Sequence, residues 1–213
     1  MENPDLFEGD ILGFTSEDRN AVTGRRRLWP DGKIPYVIDP ALKSRESKMK
    51  EAMQHYANKT CIRFVPRTNE TNYVNFFPGR GCYSHVGKTI GGQPLSLSAG
   101  CFNFGILVHE MGHAVGFYHE HSRSDRDDYI DIHYDNIQTG MEDQFTKLRP
   151  SQNILINRFD YDSIMLYGDT VFSKNHLTLK TMTAKDGRQL KDVTKKSGLS
   201  ESDIKRIKIL YDC

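Results

Sequence analysis

Long apolar runs are missing from this chain. No stretch approaches the roughly 20 apolar residues that a membrane-spanning helix requires, so no membrane partner is expected. A dominant charge is missing too: 29 Lys and Arg stand against 28 Asp and Glu, and no run of like charge exceeds Arg25 to Arg27. Without a global field nothing draws nucleic acid to the chain, and none is expected as a partner. Cysteine is scarce, with only Cys61, Cys82, Cys101 and Cys213, and no two form a CxxC pair. That argues against a thiolate metal site or a dithiol redox centre. An even count is compatible with two bridges and leaves their pairing open. The start also lacks a basic and then apolar leader, since Met1 is followed by Glu2, Asn3 and Pro4. Either a signal peptide has already been removed or none existed.

What is present suits a folded chain. With 213 residues, 37% hydrophobic and 27% charged, it can bury a core as one globular domain or two closely packed lobes. The sequons NKT at Asn58 and NET at Asn69 point the same way as the even cysteine count, toward a secreted glycoprotein. The first nineteen residues, MENPDLFEGDILGFTSEDR, are acidic, lack a long periodic pattern and read as an appended segment ending at Arg19. A turn signal at Pro30, Asp31 and Gly32 then precedes an apolar strand from Ile34 to Ile38. Met49, Met53 and Tyr56 recur at helical spacing within residues 46 to 58, which predicts an amphipathic helix. CIRFVP, YVNFF and QPLSLSAG alternate or run apolar over short lengths and predict three further strands. Helical spacing returns from Phe104 to Val115 and stops at Gly116, where a left-handed residue can redirect the chain. The rest is turn-rich until LSESDIKRIKILYDC, where Ser200 and Asp203 open a capped helix with Ile204, Ile207, Leu210 and Tyr211 on one face. The expected class is α+β: a mixed sheet with helices first, then a looser, irregular second half with a closing helix.

Three of the eight histidines fall within HEMGHAVGFYH, residues 109 to 119. Side chains four apart on a helix project from one face, so His109 and His113 can grip one ion. A catalytic zinc takes three protein ligands and keeps a position open, and a chain turned at Gly116 can return His119 as the third. Glu110 can lean over the open position without ligating. There it can take a proton from water whose pKa the metal lowers from 15.7 to about 7. HExxH alone is equally a solvated helix face. The longer pattern arises by chance on the order of once in ten thousand such chains, which favours the metal reading. His55, His85, His121, His133 and His176 have no partners at ligand spacing and read as surface or locally hydrogen-bonded side chains.

HEMGHAVGFYHEHSRSDRD followed by SIMLY resembles the astacin family of metzincin zinc endopeptidases, whose pattern is HExxHxxGFxHExxRxDRD with a later SxMHY turn. The likeness extends to LW, IPY, TCIRFVPRT and all four cysteines, across residues 20 to 213. It implies a two-lobed catalytic domain holding one zinc ion on His109, His113 and His119, with Glu110 as general base. Met165 would lie beneath the metal, and Tyr167 would ligate the resting ion and then swing to the tetrahedral oxyanion. Leu166 departs from the family's histidine, which puts in doubt how Tyr167 is positioned. The resemblance further implies bridges Cys61–Cys213 and Cys82–Cys101, and a cleft-rim edge strand around Leu95 to Ser98 that an extended substrate can join. FEGD resembles the family's FxGD motif, so residues 1–19 would be an inhibitory pro-segment whose Asp10 ligates zinc in place of water. Cleavage after Arg19 by an activating protease would free Asn20, whose ammonium group reaches Glu120 through water.

Other readings stay in play at this stage. Asp10 could belong to a solvated leader, Glu120 could be a surface carboxylate, and Arg123, Asp125, Arg126 and Asp127 read as a structural ion-pair network. Lys185 and Arg188 could favour acidic substrate side chains, although solvated loop charge explains them more simply. A binding module with a structural zinc competes with the enzyme, but has no need of Glu110. An intracellular hydrolase would keep its cysteines reduced. The expected partners are protein or peptide substrates and an activating protease, with the chain a monomer.

Overall fold

Near-continuous burial marks strand β1 (Lys33–Ile38), whose Ile34 to Tyr36 are buried, as an inner strand of a mainly parallel sheet. β1 runs parallel to β2 (Arg63–Pro66) on one side and to β3 (Tyr73–Phe77) on the other. β3 pairs in parallel with β5 (Gly92–Leu97), and β4 (Cys82–Ser84) closes that edge antiparallel to β5. The order β2-β1-β3-β5-β4 makes this the expected mixed sheet. It corrects one expectation: Leu95 to Leu97 lie in β5, one strand in from the rim, and the edge strand is β4.

Helix α1 (Glu46–Lys59) buries Met49, Ala52, Met53 and Tyr56, the stripe that its sequence spacing dictates. Its Tyr56 hydroxyl donates to Val108 O at 2.7 Å, which fastens it to α2 (Phe104–Val115). α2 is apolar almost all round, and Gly105 to Val115 are all buried. Asn103 caps its start by accepting from Gly105 N at 2.9 Å. Gly116 ends it at φ 131°, where its own N–H returns to His113 O at 2.9 Å. An L side chain is strained there, so glycine is what lets the chain reverse toward His119.

Beyond Gly116 the chain is mostly turns. β6 (Ile130–Ile132) pairs antiparallel with β7 (Met182–Ala184), and α3 (Glu201–Leu210) closes the second lobe. Ser200 and Asp203 form the capping box at its start. Ile204 and Ile207 of α3 are buried, whereas Leu210 and Tyr211 are only half-buried. Cys61 is bonded to Cys213 and Cys82 to Cys101, so the end of the chain is tied to the entry of β2 and β4 to the approach of α2.

The computed structural model describes residues 2–13 and 25–213. Arg19 and Asn20 lie outside the described residues. Residues 7 to 12 form a tight loop laid on the sheet edge: Ile11 pairs parallel with Ser84 of β4, and Leu12 N donates to Ser84 O at 2.9 Å. Glu8 and Gly9 turn that loop with positive φ angles of 52° and 89°.

Candidate metal centre and catalytic cleft

His109 and His113 leave α2 on one face, and the turn at Gly116 brings His119 back to them. His109 Nδ1–H donates to Ile164 O at 2.8 Å and His113 Nδ1–H to Phe117 O at 2.7 Å. His119 Nδ1 meets a Glu8 carboxylate oxygen at 2.6 Å. With the proton on Nδ1 in each ring, every Nε2 presents a lone pair. These three nitrogens converge, His109 Nε2 lying 3.1 Å from both of the others. Asp10 enters the same space, with Oδ2 3.0 Å from His109 Nε2 and Oδ1 3.2 Å from His113 and His119 Nε2.

That convergence tests whether the residues fit a metal. Three bare nitrogens and a carboxylate facing one another have no proton to share, and Asp10 Oδ1 accordingly has no hydrogen-bond donor. Only a cation makes the contact favourable. The four ligand atoms lie within 4.8 Å of one another and all four residues are buried, a mixed nitrogen and oxygen set suited to tetrahedral zinc. Electrostatics agree: burial pushes His109 down to about 4, so its ring is neutral and ligating. Burial alone would raise Asp10, but positive charge at His119 and His113, which a metal ion would supply where the rings are neutral, holds its carboxyl well below the usual range.

Glu110 is wholly buried beside these ligands, and neither carboxylate oxygen has a hydrogen-bond partner among the described residues. Burial, reinforced by the Asp10 charge, holds its pKa well above the carboxylate range. Tyr167 donates its hydroxyl proton to Asp10 Oδ2 at 2.5 Å, and its ring lies 4.3 Å from that of His119. Burial and then Asp10 raise the phenol far above its ordinary value, so it is a proton donor. Met165 packs beneath α2, where a Cβ added at Gly112 would meet its sulfur at 2.6 Å. Leu166 is buried, and the position is apolar.

Glu120 is no surface group. It is 3% exposed and receives Arg206 at 2.5 and 2.7 Å, Arg123 at 3.2 Å and Asp160 N at 2.7 Å. Beside it lies a cavity of about 90 Å³ whose lining includes Arg27, Phe117, His119, Ile154 and Leu210. Arg123 also pairs with Asp125, extending the Glu120 cluster, while Arg126 pairs separately with Asp127. Lys185 donates to Asp127 O at 2.5 Å, while Arg188 pairs with Asp186 and stacks 4.6 Å from the Tyr161 ring. Lys185 is thus engaged by the 127–131 segment and Arg188 within its own loop. Asn69 stands in an exposed turn, whereas Asn58 sits on α1 with its sequon threonine, Thr60, buried against Tyr56 O.

His55 accepts from Leu199 N at 3.0 Å, His133 meets Thr183, and His176 is exposed. His85 packs under Gly13. His121 is the exception among them: it is 1% exposed, and with Glu8 and His119 it makes a second buried group of metal-binding type. Glu8 went unnoticed in the sequence because its partner is 111 positions away; its place inside FEGD was the only signal. Ser163, the first residue of SIMLY, and Asp203, the capping-box acid of α3, hold the turn before Tyr167 through bonds of 2.7 and 2.8 Å, a joint role that neither local pattern signals.

The family model for the Astacin peptidase family matches residues 21–212. Astacin-like metalloprotease toxin 1 of Loxosceles intermedia is 49% identical, over 98% of this chain and 81% of that protein. Zinc metalloproteinase nas-15 of Caenorhabditis elegans is 43% identical over the whole of this chain, which spans 40% of that relative. Among solved structures, High choriolytic enzyme 1, a hatching enzyme zinc-protease from Oryzias latipes, superposes with a TM-score of 0.79 at 35% identity, over 96% of this chain and all of that one. Myroilysin, at 22% identity and a TM-score of 0.62, shares the fold. The chain therefore belongs to the astacin family and is a zinc-dependent metalloendopeptidase.

Proposed function

We propose that this chain is the latent form of a secreted zinc endopeptidase, with residues 1–19 as inhibitory pro-segment and 20–213 as catalytic domain. The observation that carries the reading is the Asp10 carboxylate lying 3.0 to 3.2 Å from all three histidine Nε2 atoms. His109, His113 and His119 are the permanent ligands and Asp10 the fourth, present only before activation. A single carboxylate is a weak free ligand, but its tether raises its effective concentration to about millimolar or more. Gly9, at φ 89°, lets the backbone come close enough for the reach to succeed.

Zinc, when bound, supplies Lewis acidity that polarises a peptide carbonyl and acidifies water. The rest falls to this chain's own groups. Withdrawal of Asp10 removes the charge nearest Glu110 and admits water to its unpartnered oxygens, so Glu110 can accept a proton at its carboxylate and later return it to the leaving amine. The same withdrawal releases the Tyr167 hydroxyl, which then donates to the oxyanion of the attacked carbonyl. An extended peptide adds to the β4 edge, which residues 10 to 12 cover in this structure.

Activation follows from cleavage after Arg19 by another protease, which frees Asn20 to reach the cavity beside Glu120. Two disulfides, and relatives described as toxins and a hatching enzyme, support an extracellular location. The domain acts as a monomer. Replacing Asp10 by Ala tests the reading: the uncut variant should bind one zinc and hydrolyse peptides, while uncut wild type does not. A D10A protein that holds zinc yet stays inactive until trimmed would sink the latch.

A further inference from the structure

Lys196 has no part in the chemistry above, yet it is only 8% exposed. Its ammonium donates to two backbone carbonyls of a single turn, Ser163 O at 2.6 Å and Leu166 O at 2.5 Å. The two carbonyls between them are also taken. Ile164 O receives His109 Nδ1–H at 2.8 Å and Met165 O receives Glu120 N–H at 2.9 Å. Four consecutive carbonyls are thus filled by donors from three separate parts of the chain, and one ammonium fills both outer ones. On the amide side, Ile164 N donates to Asp203 and Met165 N to Ser163 Oγ.

The segment bearing Lys196 is itself bolted to the metal helix. A Cβ added at Gly105 of α2 would lie 2.1 Å from Val193 O and 3.2 Å from Lys196 O, so glycine permits backbone contact there. The contacts close a ring: α2 to Val193 and Lys196, Lys196 to the turn, and Ile164 O of the turn back to His109 on α2. Asp203, Asp160, Asp162 and Asp192 face the ammonium and oppose the burial that pulls its pKa down to about 8. Leu166 offers the turn no polar side chain, so its placement depends on these backbone bonds.

We infer that Lys196 is a positioning residue for the metal centre, holding the 163–166 turn so that Ile164 O orients His109 and Tyr167 stays aimed at the reacting carbonyl. The inference rests on the roles given to His109 and Tyr167 above. Partners that orient a ligating histidine affect metal affinity by about 10- to 100-fold when removed. K196M keeps the Ile164 O partner but loosens the turn that carries it, so it should weaken zinc binding in competition with a chelator by about 10-fold, the lower end of that range, and lower kcat of the trimmed enzyme with little change in KM. K196R, which keeps a cation with several donors, should recover most of both.

K196M that binds zinc and turns over like wild type would overturn the inference and leave the catalytic reading intact. Wild type that binds no zinc would instead overturn that reading. Should K196M fail to fold, NMR of wild type decides. The inference requires slowly exchanging Lys196 ammonium protons coupled to the carbonyl carbons of residues 163 and 166. A solvated, fast-exchanging signal overturns it.

Discussion

The Tyr167 hydroxyl is committed to Asp10 in this structure, and its pKa is raised far enough that it stays protonated. On the latch reading, trimming would make that proton available to a developing oxyanion. Tyr167→Phe should lower kcat by about 100-fold with KM nearly unchanged, as for loss of one oxyanion donor. Steady-state kinetics of activated wild type and variant check this, and equal kcat values remove Tyr167 from the role. Lys196 carries a second prediction. Its pKa is about 8 folded against 10.5 for a free lysine, so between those values the unfolded chain binds more protons and stability rises with pH. Across that window wild type should gain on the order of 3 kcal/mol relative to K196M, measured by urea unfolding at successive pH values. A parallel pH response in the two proteins contradicts a buried ammonium. At this scale the sequence spoke where chemistry is local. His109, His113 and Glu110 share one helix, whereas the partners of Glu8 and Lys196 are 111 and about 30 positions away, beyond any spacing rule.

Among the elements, α1 was legible from its one buried stripe, α2 from helical spacing that stops at Gly116, and α3 from its Ser200–Asp203 cap and apolar face. β4, β6 and β7 were not, since three residues are too few to display alternation and their pairing is set by distant partners. The rim strand was misplaced for the same reason: QPLSLS looks half-exposed in sequence, but β4 and β3 flank it. Between elements, α3 is joined to the turn after His119 through Arg206 and Glu120, both almost fully buried. Arg206→Met leaves that carboxylate with a weaker partner in Arg123. It should cost about 3–5 kcal/mol of stability, read from denaturant midpoints. A change below about 1 kcal/mol would mean that the pair is dispensable.

For the whole molecule, the two bridges close loops of very different length, 152 and 19 positions. Chain entropy makes the longer one worth about 5 kcal/mol and the shorter about 3 kcal/mol. Replacing Cys61 and Cys213 together by Ala should therefore lower the melting temperature more than replacing Cys82 and Cys101. The reverse order would place the stabilisation in local packing around β4. The two-lobed outline could be anticipated from family likeness, but composition and periodicity alone reached only an α+β chain with an irregular second half. Turns position most of the residues from Phe117 to Leu199, and turns leave little periodic trace.

The segment from residue 3 to 11 is braced by its own backbone, through Asn3 N to Gly9 O, Gly9 N to Leu6 O and Ile11 N to Phe7 O. A peptide of that stretch with its ends linked would bring less ordering cost to the cleft than the linear form. On the latch reading, such a macrocycle is a ready starting scaffold for a reversible blocker of the activated enzyme, carrying its carboxylate warhead at the tip.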